Sequence, residues 1–457
     1  MSSLPANYLT ATETIALVRS GKLTVTQIAE AHLARYDERD PTIHAWAYMD
    51  RERVLSEAKR LDAIPEAERG PLHGAVLGVK DMINTKDMPT EHNSPIYKDH
   101  RPNVDAVPVG VCRAAGALIF GKTHTTQFAA TTTGPPARNA FDPERTPGGS
   151  SSGSGAAVGD WQCQLAFGTQ TVGSTVRPGS YNGIFALKPT WGAIGREGLK
   201  VLSVTLDTLG LYARSVADLQ LLAEVFQVVD DTPPPSPPKP LSSCTFAYVK
   251  TDQWQAGSGP SPELERAWAK SKELLIAAGA TVKDVELPAE FNDVMPRTVR
   301  LMASEGRVNF LPEYMVSKDK LDPLLISHVE NQTKISRREQ LDIYDAMAAL
   351  RPKLDAIAGQ YDAIVTPSVP GEAWVGIERT GDARFCALWT SLHVPCINIP
   401  GFASESGMPI GLTLVAPRYE DVRLLSVASE VAKVWINADE GLLRKTPAPE
   451  EASHNSA

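Results

Sequence analysis

Cysteine is scarce in this chain: five residues in 457, at Cys112, Cys163, Cys244, Cys386 and Cys396. The number is odd, the positions are scattered and no CxxC pair occurs, so neither a zinc site nor a disulfide framework is encoded. Buried, reduced thiols are the expected state. No basic run occurs, and the net charge is −9, which removes any electrostatic case for nucleic acid. No apolar stretch is long enough to span a bilayer. The start, Met1-Ser-Ser-Leu-Pro-Ala-Asn7, has neither the basic nor the apolar region of a secretion signal. These absences point to a cytoplasmic protein with no membrane or nucleic-acid partner and no metal.

What is present suffices for a large core, since 42% of the residues are hydrophobic. A chain of this length is a prior for two or three domains, although large α/β cores of this size exist. Residues 1–70 read as a helical layer. Thr10-Ala-Thr-Glu13 and Thr24-Val-Thr-Gln27 are capping boxes. Ile28, His32, Leu33 and Tyr36 share one helical face, and Asp40-Pro41 is expected to end that helix. A third helix is predicted over Arg51–Leu61.

From residue 71 the pattern changes to short apolar strands between helices, the mark of an α/β fold. Strands are predicted at Val76–Val79, Ala117–Phe120 and Gln164–Phe167, with helices at Val109–Ala115 and Ser215–Val229. Residues 231–240, rich in proline, form an extended linker, because proline lacks the N–H donor and fixes φ. Past it, strands are predicted at Thr245–Val249, Ala363–Thr366, Cys396–Ile399 and Ile410–Val415. Helices are predicted at Ser261–Ala278 and Asp421–Val434. The stretch 290–338 reads as helical and irregular. The last residues, 446–457, form a polar tail expected to fray. No internal repeat is present.

Three blocks carry chemistry. Gly78-Val-Lys-Asp81 places a lysine at the end of an apolar strand. Pro147-Gly-Gly-Ser-Ser-Ser-Gly-Ser-Gly155 is rich in glycine and serine. Gly168-Thr-Gln-Thr-Val-Gly-Ser174 follows the strand at 164–167. A serine hydroxyl is a weak nucleophile at neutral pH and needs a base beside it. Lysine can serve if burial leaves the amine neutral.

At these blocks the chain resembles the amidase signature family, and the resemblance spans most of the sequence, with its motif core from about Gly78 to Leu222. The family pattern approximates GGSSGGS, GTDxGGSIR and GLKPT. Here the blocks read GGSSSGS, GTQTVGSTVRP and ALKPT. The family's spacing of 24 residues separates Ser150 from Ser174. The resemblance implies that Lys80 is the base, Ser150 a bridging serine after a cis Gly149–Ser150 peptide, and Ser174 the nucleophile. It further implies an oxyanion hole from the backbone N–H groups of Thr171, Val172, Gly173 and Ser174, and no cofactor. The fold implied is a large mixed, twisted sheet with helices on both faces, continuous across 71–230 and 241–445, with 290–338 as a variable substrate cover. Gln170 stands where the family usually has Asp, and Arg177 is displaced by one position. Together they match a branch that reads GTQTxGSxxRPA. Val172 replaces a glycine but keeps its N–H.

Rival readings have specific weaknesses. Gly116-Ala-Leu-Ile-Phe-Gly-Lys122-Thr123 satisfies the P-loop pattern. That pattern works only as a turn opening a helix, whereas Ala-Leu-Ile-Phe reads as a strand interior. The Gly-Ser run taken alone would be a flexible linker. His124 and His393 have no nucleophile-elbow context and read as structural histidines. The function implied is serine amidohydrolysis of an aryl or alkyl amide, anilide or carbamate, through an acyl-enzyme on Ser174, by a monomer or homodimer. A glutamine-dependent transamidase subunit needing partner chains is the alternative. Ala129, Ala130 and Thr131 match positions that line the acyl pocket, and their small size predicts a roomy, apolar site; Gln127 is expected to hydrogen-bond backbone beside it.

Overall fold

Eleven strands form one sheet in a computed structural model that describes residues 5–257 and 259–436. In chain order they are β1 (Trp46–Met49), β2 (Val76–Lys80), β3 (Leu118–Thr123), β4 (Leu165–Gln170), β5 (Phe185–Lys188) and β6 (Thr208–Ala213). Then come β7 (Thr245–Val249), β8 (Thr281–Val285), β9 (Ala363–Pro367), β10 (Cys396–Ala403) and β11 (Pro409–Val415). The spatial order is β1-β3-β2-β4-β6-β5-β10-β11-β9-β7-β8. The sheet is mixed: β2 runs parallel to β3 and β4, β7 runs parallel to β8 and β9, and antiparallel pairs fill the middle. Residues 231–240 therefore join two halves of a single sheet.

Both faces are covered, which is why the inner strands are buried on every residue instead of alternating. On one face Leu77, Val79, Ile119 and Phe167 pack with Leu219 and Leu222 of the helix Val216–Val225 and with Leu424 and Ala428 of Asp421–Trp435. On the other, Val76, Leu118, Phe120 and Ala166 pack with Ile28 and Leu33 of the helix Val25–Ile43 and with Ala156–Val158. Both expected capping boxes are formed, at Thr10 with Glu13 and at Thr24 with Gln27.

Several elements differ from the expectation. Pro41 does not end its helix but sits in the last turn, which stops at Ile43 with His44 in the left-handed region. One missing N–H costs little there, and Asp40 recovers the chain by accepting from Ala45 N at 2.7 Å. The helix after Ser215 stops at Val225, short of Val229. Four strands carried no pattern the sequence could show: β1, β5, β6 and β8. The 22-residue helix Arg337–Ala358 was missed as well. The expected polar tail lies outside the described residues.

The Gly-Ser run, read as a motif block and not as a linker, holds an element the sequence did not show: Ser152–Gly159 is a wholly buried helix. Glycine is poor in an isolated helix, but here it permits contact. A Cβ on Gly153 would lie 2.1 Å from Ala45 O and 2.5 Å from His124 N. The absence of side chains lets this helix lie directly on backbone, which fixes the residues at its start. Gly153→Ala should therefore destabilise the fold by about 1–3 kcal/mol. Gly110→Ala, in the helix Val107–Ala114 with open space around the new methyl, should instead stabilise by about 0.5–1 kcal/mol. Urea denaturation of the two variants reads the opposite signs.

Candidate active site

Lys80 is the last residue of β2, at the carboxyl ends of the parallel trio β3-β2-β4. It is fully buried. Its Nζ lies 2.8 Å from Ser150 Oγ, 3.0 Å from Ser151 Oγ and 2.8 Å from Thr169 Oγ1. Burial pushes the amine well below the usual lysine range. Nearby Asp207 opposes that shift, and Arg177 adds to it.

The partners of those hydroxyls assign the amine's protons. Ser151 Oγ donates to Thr169 O at 3.2 Å and accepts from Thr169 N at 3.1 Å. Thr169 Oγ1 donates to Met82 Sδ at 3.3 Å. With their own protons committed, both hydroxyls accept from Lys80. A neutral amine has two N–H groups and one lone pair. In the neutral form that burial favours, N–H groups given to Ser151 and Thr169 would turn the lone pair to Ser150.

Ser150 follows a cis Gly149–Ser150 peptide. The carbonyl of Gly149 accepts from the Arg177 guanidinium, which also reaches Thr380 Oγ1 at 3.3 Å and Gly381 O at 3.1 Å. The displaced arginine of the motif thus clamps the loop before Ser150 to the segment at 380–381.

The loop from Thr171 to Ser174 joins β4 to the helix Val176–Tyr181. Gln170 holds it. Its Oε1 accepts from Thr175 N at 2.9 Å and Val176 N at 3.0 Å, and its Nε2 donates to Thr390 Oγ1 at 2.9 Å. The N–H groups of Thr171, Val172, Gly173 and Ser174 meet no acceptor among the described residues. Ser174 O accepts from Tyr212 at 3.2 Å. No hydrogen bond joins the Ser174 and Ser150 hydroxyls among the described residues. Such bonds often close only in the complex with substrate.

Asp207 faces this loop. It accepts from Thr171 Oγ1 at 2.6 Å and from the N–H groups of Leu202 and Ser203, and burial raises its pKa to about 6. A cavity of about 10 Å³ lies between Met82, Phe128, Ala129, Thr169, Thr171 and Leu202. That is room for about one water, so the roomy pocket expected beside Ala129 is not open here. The helices Val294–Asn309, Leu311–Ser317 and Pro323–Val329 close over it. Phe310, Leu321 and Leu325 pack on Phe128 and Ala130. Lys200 pairs with Glu313 at 2.5 Å.

Gln127 serves this closure. Its Nε2 donates to Lys320 O at 2.8 Å and its Oε1 accepts from Asp322 N at 2.7 Å. Both ends of its amide are engaged with protein. Thr131 is buried, and its Oγ1 has no partner. His393 Nε2–H donates to Thr205 O at 2.8 Å and the ring stacks on Trp191, which is the structural role expected. All five cysteines are buried and unpaired.

The P-loop lookalike resolves into β3. Lys122 is fully buried, 3.2 Å from Asp81 and 2.5 Å from Thr90 Oγ1, with burial lowering its pKa to about 8. Its backbone belongs to the sheet.

A family model described as Amidase matches residues 27–425. The chain belongs to the amidase family. Its members act on carbon–nitrogen bonds, and this chain is an enzyme of that kind. It is 31% identical to a glutamyl-tRNA(Gln) amidotransferase subunit from Streptomyces avermitilis, over 94% of this chain and 95% of that protein. A solved amidase superposes with a TM-score of 0.82 at 28% identity, covering 93% of this chain and 99% of the other. The peptide amidase of Stenotrophomonas maltophilia does so with a TM-score of 0.76 at 25% identity, covering 96% and 98%.

Ser151 and Thr169 lie inside the motif blocks, yet nothing in those blocks shows that they hold Lys80. Thr390 and Asp207 stand in no motif, and only the fold brings them near. Among the described residues no membrane-spanning helix and no cluster of metal-ligating side chains occurs.

Asp81→Asn should cost about 3 kcal/mol, because it leaves the Lys122 charge buried without its partner. The loss should shrink as pH rises through the lysine's range, since a neutral amine needs no counter-ion. Urea midpoints measured at pH 7 and pH 9 check both statements.

Proposed function

We propose that this amidase is a serine amidohydrolase in which Ser174 is the nucleophile, Ser150 the proton bridge and Lys80 the base. The observation that carries the reading is the hydrogen-bond set of Lys80: a fully buried amine 2.8 Å from Ser150 Oγ, with the hydroxyls of Ser151 and Thr169 as its other partners. Ser150 gives its proton to that lone pair as it takes the proton of Ser174. The Ser174 oxygen attacks the substrate carbonyl. The unpaired N–H groups of Thr171–Ser174 stabilise the oxyanion; a single donor of this type is typically worth ~3 kcal/mol. The proton returns along the same path to the leaving nitrogen, and the C–N bond breaks. Water then attacks the acyl-enzyme by the reverse relay. No cofactor enters any step.

The substrate class follows from the cavity beside Ala129. Met82, Phe128, Ala129 and Leu202 favour an apolar or aryl group on the amide or carbamate, beside a charged side made by Arg196, Lys200 and Asp207, and Ala130 packs with Phe128 and Leu202. The cover at 290–338 must shift to admit it, since the closed space holds about 10 Å³. Ala129→Phe should therefore raise KM for anilides and aryl carbamates and spare acetamide.

The second reading, a transamidase subunit, is favoured by the 31% identity to an amidotransferase component over 94% of the chain. Both readings share the serine chemistry. They separate on whether the purified chain alone turns over simple amides, anilides or carbamates. Turnover by the chain alone supports the hydrolase; inertness on the whole panel, with Ser174 still reactive, supports the transamidase reading.

A fluorophosphonate should label a single serine, Ser174, as located by mass spectrometry; labelling elsewhere or not at all overturns the assignment. Ser174→Ala should abolish hydrolysis without changing the melting temperature. The losses in Lys80→Ala and Ser150→Ala should not add in the double variant, because the two act as a unit. Activity should rise with pH as Lys80 loses its proton. That limb should lie well below the ~10.4 of a free lysine, because burial disfavours the charged amine. A limb at or above pH 10 in the kcat/KM profile would contradict the base assigned to Lys80.

A further inference from the structure

We infer that Gln170 and Thr390 are positioning residues that aim the Gly173 N–H into the oxyanion hole. The inference rests on the proposed serine chemistry and deepens it. Gln170 is the residue at which this chain departs from the family's usual aspartate, and its partner comes from 220 residues away.

The available donors set the direction of every bond in this network. The two backbone N–H groups of Thr175 and Val176 both end on Gln170 Oε1. That fixes the amide's orientation, with oxygen towards the helix start and nitrogen towards Thr390. Gln170 Nε2 donates to Thr390 Oγ1, so one of that oxygen's acceptor positions is filled. The hydroxyl proton is left to donate, and the nearer carbonyl is Val172 O at 2.8 Å, against 3.2 Å for Cys386 O. The chain Gln170 → Thr390 → Val172 therefore runs in one direction. Gln170 and Thr390 are each 1% exposed, so water does not compete for these bonds.

Peptide planarity does the rest. The Val172–Gly173 peptide is not among the cis bonds of the described chain. In a trans peptide the C=O and the following N–H point in opposite directions. Thr390 holds Val172 C=O on the side of the helix Ala387–Ser391. The Gly173 N–H is thereby turned to the other side, where it meets no acceptor among the described residues. Gly173 must be glycine for this arrangement: a Cβ would lie 2.8 Å from Ala383 Cβ and 3.0 Å from Cys386 Sγ. The loop is thus pressed against 383–390 and cannot rotate freely. An aspartate at 170 has no donor for Thr390, whose hydroxyl would then serve the carboxylate and release Val172 O.

The test uses the full chain with two probes that read a tetrahedral oxyanion: the second-order rate of Ser174 labelling by a fluorophosphonate, and the affinity of an aryl trifluoromethyl ketone. Thr390→Val keeps the shape and removes the hydroxyl. It should slow labelling about 10–100-fold, a fraction of the 10²–10³ known for loss of a whole donor. It should weaken the ketone by a similar factor at an unchanged melting temperature. Thr390→Ser should restore both. Gln170→Glu, which keeps the acceptor for Thr175 and Val176 but loses the donor, should resemble Thr390→Val; it also decides the matter if Thr390→Val does not fold. Wild-type rates in Thr390→Val or in Gln170→Glu, or failure of Thr390→Ser to recover, would overturn the inference while Ser174 labelling of the native chain left the catalytic reading intact. Absence of Ser174 labelling in the native chain would overturn both.

Discussion

The burial of one lysine amine is the constraint on which the site depends. An ammonium withdrawn from water in an apolar interior is costly, and the cheaper state is the neutral amine. Lys80 is held there by the end of β2, under a helix made of glycine, serine and alanine with a single valine. Such a helix can approach backbone because it has almost no side chains to interpose. The tight contact at Gly153 is therefore a catalytic matter at one remove: it sets where Ser150 and Ser151 stand relative to the amine.

The same physics governs the neighbouring cation. Lys122 stands on the adjacent strand and is equally buried, but Asp81 lies 3.2 Å away and Glu91 N bonds that carboxylate. One lysine has a counter-ion and is structural. Lys80 hydrogen-bonds to hydroxyls alone, with Asp207 acting on it only at a distance, which is the setting the proposed base requires. Two adjacent parallel strands thus carry identical residue types into opposite electrostatic settings.

The nucleophile loop is organised from outside its own segment. Gln170 and Arg177, the two departures from the commonest family pattern, bind Thr390 and the backbone at Gly149 and Gly381 respectively. Both reach the segment between 380 and 390. The distant part of the chain is needed to complete the loop, which gives a physical reason for the two halves of the sheet to be continuous.

The α/β class, the capping boxes, most strands and the positions of Lys80, Ser150 and Ser174 were legible in the amino-acid sequence. These rest on local signals: apolar runs of strand length, caps three residues apart, and motif blocks in order. Of the missed strands, β8 is largely exposed and has no apolar run, so its neighbour and not its own pattern stabilises it. The helix within the Gly-Ser run was not legible because glycine's low helix propensity is local, whereas the contact that favours glycine at 153 comes from Ala45 and His124. The proton arrangement around Lys80 and the reach of Thr390 to Val172 were decided only by the tertiary structure, since each depends on hydroxyls and carbonyls brought into hydrogen-bonding range from distant positions. The sequence by itself determined which chemical groups the site has; folding determined which of them share a hydrogen bond, and a hydrogen bond's direction is a property of the whole network and not of any one residue.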